Sequence, residues 1–251
     1  MNATYFNKSI DQLKTSIIEQ LQHNTLFKYI DEPKLIDNQL FYLLLPLLNG
    51  ENWNDDLNTS AITVAMVHAS LAEHEKIDEY LATSKEQQLT VLSGDFYSGR
   101  YYQMLANAGN ILLIREISKG IVNRCEQQIK IYEKNPLSLT QWIDYISTIE
   151  TELIHKFYSF YEFGKYNRIM SKSLVLLRLK EELMHYKTGR ITNFIKMVQS
   201  NLVDSSESFE QVIGQEVDKL NDQVNEYLQS SSLLKDDLKL YIMNQLELVQ
   251  K

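Results

Sequence analysis

Cysteine, proline and glycine are all scarce in this chain: one, three and eight among 251 residues. A single Cys125 excludes any disulfide framework within the chain and suits a reducing compartment. So few turn-forming residues argue against many short strands and for long helices. Basic charge is also short, with 25 Lys and Arg against 33 Asp and Glu, for a net charge of -8. An acidic chain does not attract a phosphate backbone, so nucleic acid is excluded as a partner class. No apolar run approaches the roughly 20 residues that span a bilayer. The most apolar stretch, Leu40 to Leu48, is less than half of that and reads as a buried helix. The start, MNATYFNKSIDQLK, lacks the charged stub and apolar run of a secretory signal, so a cytoplasmic location is expected. No Walker loop, GxGxxG, GxSxG or HExxH occurs.

What is present is helical periodicity. Ile10, Leu13, Ile17 and Leu21 recur every three or four residues and predict a helix over 7–29, ended by Asp31-Glu32-Pro33. Leu35 to Leu47 predicts a second, closed by Asn49-Gly50, and Thr59-Ser60 is expected to cap a third over 62–80. Another begins near Glu86, with a helical continuation from Ile111. Asn135-Pro136 is a break. Trp142, Ile146, Ile149, Leu153 and Phe157 mark the next helix, followed by ones over 171–186 and 192–203. Phe209, Ile213, Val217, Leu220, Val224 and Tyr227 leave a narrow apolar stripe on a polar helix, read as a bundle helix packed within the chain. Ser230 to Ser232 interrupts it before a last helix. The expected fold is all-α, an antiparallel helical bundle. A main domain is expected over 1–205, with a helical pair over 206–251 packed on it.

Residues 94–101, GDFYSGRY, resemble the Gly-Asp-aromatic-x-x-(Ala/Gly)-Arg segment of trans-prenyl diphosphate synthases. The longer run LSGDFYSGRYYQMLA is most similar to the small-subunit family, component I of heptaprenyl or hexaprenyl diphosphate synthase. Gly94 and Gly99 permit close helix approach, and Asp95 can pair with a neighbouring cation. The resemblance makes Gly94, Asp95, Phe96, Gly99, Arg100 and Tyr101 candidate signature or interface residues. It also implies an isoprenoid-synthase-like fold with degenerate metal sites.

Catalytic members of that family carry His-Asp-Asp-x-x-Asp six residues after an earlier His. Here His68 is followed by His74-Glu75-Lys76-Ile77-Asp78-Glu79, so Glu75, Lys76 and Glu79 stand at the motif positions. Prenyl transfer ionises an allylic diphosphate, and Mg²⁺ must bridge compact carboxylate oxygens to the leaving group. A lysine within the motif repels that metal. The second aspartate motif corresponds to LRLKEELMHY at 177–186, with Glu181 and Glu182 for the Asp pair and His185 for the last Asp. The diphosphate-gripping Arg pair is missing between Asp78 and Gly94. The Gly-Gly-Lys-Arg site is replaced by LLNGENWN, and Glu152 and Leu153 stand where a Lys-Thr pair is expected. Asp55-Asp56 and Asp236-Asp237 lack the aromatic-glutamine lead-in.

No catalytic, substrate-binding or metal residue is therefore assigned to this chain, and no cofactor is expected on it. The resemblance implies a catalytic large subunit as partner, holding Mg²⁺ and taking farnesyl and isopentenyl diphosphate, in menaquinone side-chain synthesis. It implies pairing through the helices around 62–82 and 86–108. Two other readings remain open. One is a divergent metal-dependent prenyltransferase using Glu75, Glu79, Glu181, Glu182 and His185 with Zn²⁺ or Mn²⁺. The other is a helical scaffold docking through the stripe at 209–227. The aromatic cluster FYSFYEFGKY at 157–166 reads as an interface or as the lining of a lipid tunnel.

Overall fold

The computed structural model describes residues 3–77, 83–130, 137–202 and 207–248. Among them it contains α-helices and short 3₁₀ turns, and no strand. The helices are α1 (Ala3–Leu21), α2 (Asp37–Leu48), α3 (Asp55–Glu75), α4 (Lys85–Asn107) and α5 (Ile111–Ile129). They continue with α6 (Leu139–Phe160), α7 (Asn167–Lys187), α8 (Asn193–Asn201), α9 (Phe209–Ser230) and α10 (Asp236–Gln245). Contacts group the described residues into two compact units. One holds the residues up to Ser118 together with Lys156–Tyr161. The other holds Lys119–His155 and the residues from Glu162. Two of the three boundaries fall inside helices, α5 and α6, the third follows the end of α6, and α9 and α10 belong to the second unit.

In the first unit, α3 is the central element, buried without interruption from Ser60 to Ser70. It packs against α4, α1 and α2. The sequence places its cap at Thr59-Ser60, but the helix starts earlier. Asn54 accepts a hydrogen bond from the Leu57 amide at 2.9 Å, and Asp55 and Asp56 follow at the positive end of the helix dipole. The predicted first helix is likewise cut short. α1 ends at Leu21, and a 3₁₀ turn at Leu26–Lys28 is held by His23 Nδ1 accepting from the Leu26 amide at 3.3 Å. Between α4 and α5, Gly109 takes φ +70°, and Asn110 caps α5 through the Leu113 amide at 3.1 Å.

Pro46 lies inside α2, whose residues from Gln39 to Pro46 are buried. A proline has no amide hydrogen, so the Tyr42 carbonyl four residues back loses its helical partner. The Tyr158 hydroxyl donates to that carbonyl. Both groups are buried, and an α6 side chain thus completes the hydrogen bonding of α2.

In the second unit α9 packs on α7. Ser208 and Gln211 form a full capping box at the start of α9. Phe209, Val212, Ile213, Val217, Leu220, Val224 and Leu228 form its buried stripe. The narrow stripe legible in the sequence is thus covered within the unit.

Candidate functional site

The first motif falls at the C-terminal end of α3. The helix closes at Glu75, which is exposed, and Lys76 is its C-cap. The buried carboxylate here is Glu73, 1% exposed, one residue ahead of the motif. Lys76 Nζ donates to Glu73 Oε1 at 2.6 Å. The lysine that interrupts the motif is therefore the counter-ion of a buried glutamate on its own helix. Asp78 and Glu79 lie outside the described residues. His74 lies over α4: a Cβ at Gly94 would come within 2.6 Å of His74 Nε2. Only glycine admits the imidazole in that position. His74 Nε2 also sits 3.6 Å from Asp95 Oδ1, and Ser70 Oγ donates to the Gly94 carbonyl at 2.8 Å. Tyr97 is fully buried beneath. Burial, reinforced by the charge of Glu73, pushes its phenol well above the ordinary tyrosine range.

The signature segment lies on α4 and ties neighbouring elements of the first unit together. Gly94 and Tyr101 are buried, while Asp95 and Gly99 are exposed. Phe96 meets His23 edge-on at 5.1 Å. Arg100 donates to the Gln20 carbonyl at 3.1 Å and to Gln20 Oε1 at 2.9 Å. Gln20 is in the last turn of α1, where carbonyls lack helical partners, so the signature arginine caps α1. Burial raises the Tyr101 phenol, against a hydrogen bond with Ser118 that lowers it.

The second motif lies on α7 in the other unit. Glu182 is 0% exposed. Arg178 grips its Oε1 with Nε at 3.0 Å and Nη2 at 2.7 Å. Arg178 Nη1 reaches Glu150 Oε1 on α6 at 3.4 Å. Thr192, which caps α8 through the Ile195 amide, donates its hydroxyl to the second Glu182 oxygen. Burial works against the guanidinium charge, but Glu150 and Glu182 outweigh it and hold Arg178 above its ordinary value. Glu181 is exposed. Arg190 Nη1 lies 3.4 Å from His185 Nε2. Glu181, Glu182 and His185 are thus not brought together around a common point. Among the described residues no three His, Cys, Asp or Glu side chains are grouped as metal ligands.

Two of the deciding residues escape the motif comparison. Glu73 falls just outside the aligned stretch, although its spacing of three from Lys76 is visible in the sequence. Arg178 reads as a replaced glutamine, although its i,i+4 relation to Glu182 is the spacing of a helical ion pair. The contributions of Glu150 and Thr192 come from other elements and have no local signal.

Solved structures share this arrangement of helices. An isoprenoid synthase family member from Thermotoga neapolitana superposes with a TM-score of 0.69 at 14% identity, over 94% of this chain and 98% of that one. Heptaprenyl diphosphate synthase from Staphylococcus aureus gives 0.66 at 12% identity, over 96% of each chain. A deletion mutant of the heterotetrameric geranyl pyrophosphate synthase of mint gives 0.58 at 13% identity, over 97% of this chain and 98% of that one. The protein has the isoprenoid synthase fold. The family model described as heptaprenyl diphosphate synthase (HEPPP synthase) subunit 1 matches residues 23–229, and the chain belongs to that family. Heptaprenyl diphosphate synthase component 1 of Geobacillus stearothermophilus is 28% identical over 139 residues, which is 55% of this chain and 63% of that relative. The match therefore spans less than two thirds of the relative's length.

Proposed function

We propose that this chain is the non-catalytic, regulatory subunit of a two-subunit all-trans heptaprenyl or hexaprenyl diphosphate synthase, working in the cytoplasm in menaquinone side-chain synthesis. Its partner is a catalytic large subunit that carries the Mg²⁺ and takes farnesyl and isopentenyl diphosphate. This chain completes the partner's fold and supports its choice of product length. On this reading residues 1–205 are the isoprenoid-synthase-like part, with the helical pair 206–251 packed on it.

The observation that carries this reading is the pairing of the two buried acids. Glu73 is neutralised by Lys76 and Glu182 by Arg178, each within one turn of the same helix. A Mg²⁺ ion recruited to either carboxylate would meet a fixed positive charge at contact distance. The mint synthase adds support, because its name describes an assembly of unlike chains on the same fold.

For the pairing surface, α4 is the stronger candidate of the two helices expected from the resemblance. α3 is buried within its own unit from Ser60 to Ser70, whereas α4 exposes Leu92 and Tyr102, with Asp95 and Gly99 between them. These four positions share one helical face. Apolar side chains exposed together mark interaction surfaces, and tyrosine is among the residues that anchor them. Reconstitution tests the reading: the chain is purified alone, then mixed with the large subunit, and product length is read by chromatography. Activity and chain-length selection should appear only in the mixture. Prenyl transfer by this chain alone would overturn the reading, as would a large subunit fully active and correctly selective without it.

A further inference from the structure

Among the described residues some cations are matched by carboxylates, while others, Arg100 and Lys180 among them, are held by neutral oxygens. Lys14 pairs with Asp37, Lys76 with Glu73, Arg178 with Glu182, and Lys187 with Glu210. On the seam between α7 and α9, in the second unit, two further cations are held by neutral groups. Arg168 stacks its guanidinium over the Tyr227 ring, 5.3 Å from the centroid. Lys172, one helical turn along, donates its ammonium to Gln223 Oε1. Both are positioned by neutral groups, and among the described residues neither has a carboxylate within ion-pair distance.

A third cation, Lys219, faces them from α9 and is shared with both oxygens of Glu216 at 3.0 and 3.1 Å. The seam therefore brings Arg168, Lys172 and Lys219 together around Glu216 in a chain whose net charge is -8. Burial lowers the pKa of the Lys172 ammonium, and the nearby charges of Arg168 and Lys219 lower it further, with Glu216 opposing. Arg168 is also the second residue of α7, a helix with no acidic residue in its first turn, so the helix dipole adds to the positive field.

An arginine fork and a lysine point charge one helical turn apart on the same helix suit a tetrahedral oxyanion. A single carboxylate would neutralise only one of the two unmatched charges. We propose that the α7–α9 seam, through Arg168, Lys172 and Lys219, is a binding site for a phosphate or diphosphate group. The site is separate from the degenerate motif positions and does not depend on the subunit reading.

The test uses the full-length chain at low ionic strength. Inorganic diphosphate is titrated by calorimetry, and flotation with phosphatidylglycerol or phosphatidylcholine vesicles is run in parallel. The Arg168→Gln/Lys172→Gln variant should weaken binding by at least about tenfold, the order expected for losing charge-assisted hydrogen bonds. Glu216→Gln, which frees Lys219, should tighten it several-fold, and a misfolded variant cannot imitate that gain. Variant-dependent binding of diphosphate alone supports the site with a soluble ligand. Variant-dependent binding of the anionic vesicles supports it with a lipid headgroup. Binding to neither probe, or binding that the variants do not change, overturns the proposal. So does a seam whose double variant loses only its hold on a protein partner.

Discussion

At the scale of single residues, the two buried acids Glu73 and Glu182 are each matched by a cation within one turn. Replacing Arg178 by Gln leaves Glu182 buried without a counter-charge. We expect a loss of about 3 kcal/mol, toward the lower end for a broken buried pair because the Arg178 side chain is 37% exposed. Glu182→Gln in the same chain should restore most of it, read from urea denaturation midpoints. The arginine's own contribution should show no pH dependence in the ordinary range. Arg178 is held above its ordinary value, so its contribution is full below the unfolded arginine pKa and is lost only beyond it, far into alkali. Gly94 gives a second residue-scale outcome. Gly94→Ala should destabilise the wild type, because the new Cβ would lie 2.6 Å from the His74 ring. In a His74→Ala background the same change should stabilise by about 0.5–1 kcal/mol, the ordinary helical preference for alanine over glycine. Thermal unfolding of the four proteins in that cycle decides it. Much of this was legible beforehand. The spacings of Lys76 to Glu73 and of Arg178 to Glu182 are local, and the reason for Gly94 follows from a close helix approach. What the sequence could not show is which carboxylates turn inward, since burial depends on the helices packed against them.

At the scale of elements, periodicity predicts each helix among the described residues, and the differences lie at their ends. The third helix begins at Asp55 because Asn54 competes successfully with Thr59 and Ser60 for the cap. The first stops at Leu21, where the Arg100 guanidinium satisfies the Gln20 carbonyl from another helix. Such ends are set by partners distant in the chain, which a local pattern does not contain. α2 is the sharpest case. Pro46 is plain in the sequence and would normally kink or break a buried helix. The hydroxyl that completes it belongs to Tyr158, 116 residues beyond the carbonyl it serves. Tyr158→Phe should therefore cost about 1–3 kcal/mol, the cost of leaving a buried carbonyl without a partner. In a Pro46→Ala background, residue 46 supplies its own amide to the Tyr42 carbonyl, and the same substitution should cost much less. A coupling near zero in that double-mutant cycle, measured by chemical denaturation, would refute the account.

At the scale of the whole molecule, the fold is that of isoprenoid synthases, while Glu182 in the second motif and Glu73, just ahead of the first, are each already matched by a cation. The signature residues on α4 have structural work of their own: Gly94, Arg100 and Tyr101 each have a packing or capping role within the first unit. Retention of these residues is therefore explained by the scaffold alone, and the proposed pairing with a large subunit must rest on the exposed side of the same helix. Leu92 is 55% exposed and Tyr102 54% exposed, ten residues apart and on one face. Substituting both by Glu should leave the isolated chain's unfolding midpoint nearly unchanged, since surface changes usually stay within about 0.5 kcal/mol. If α4 is the pairing face, the same variant should bind the large subunit about a hundredfold more weakly or worse, as expected when two anchors are replaced by charges. Analytical ultracentrifugation of the mixed subunits gives the comparison. An unaltered affinity would remove α4 from the interface while leaving the subunit reading to the reconstitution experiment.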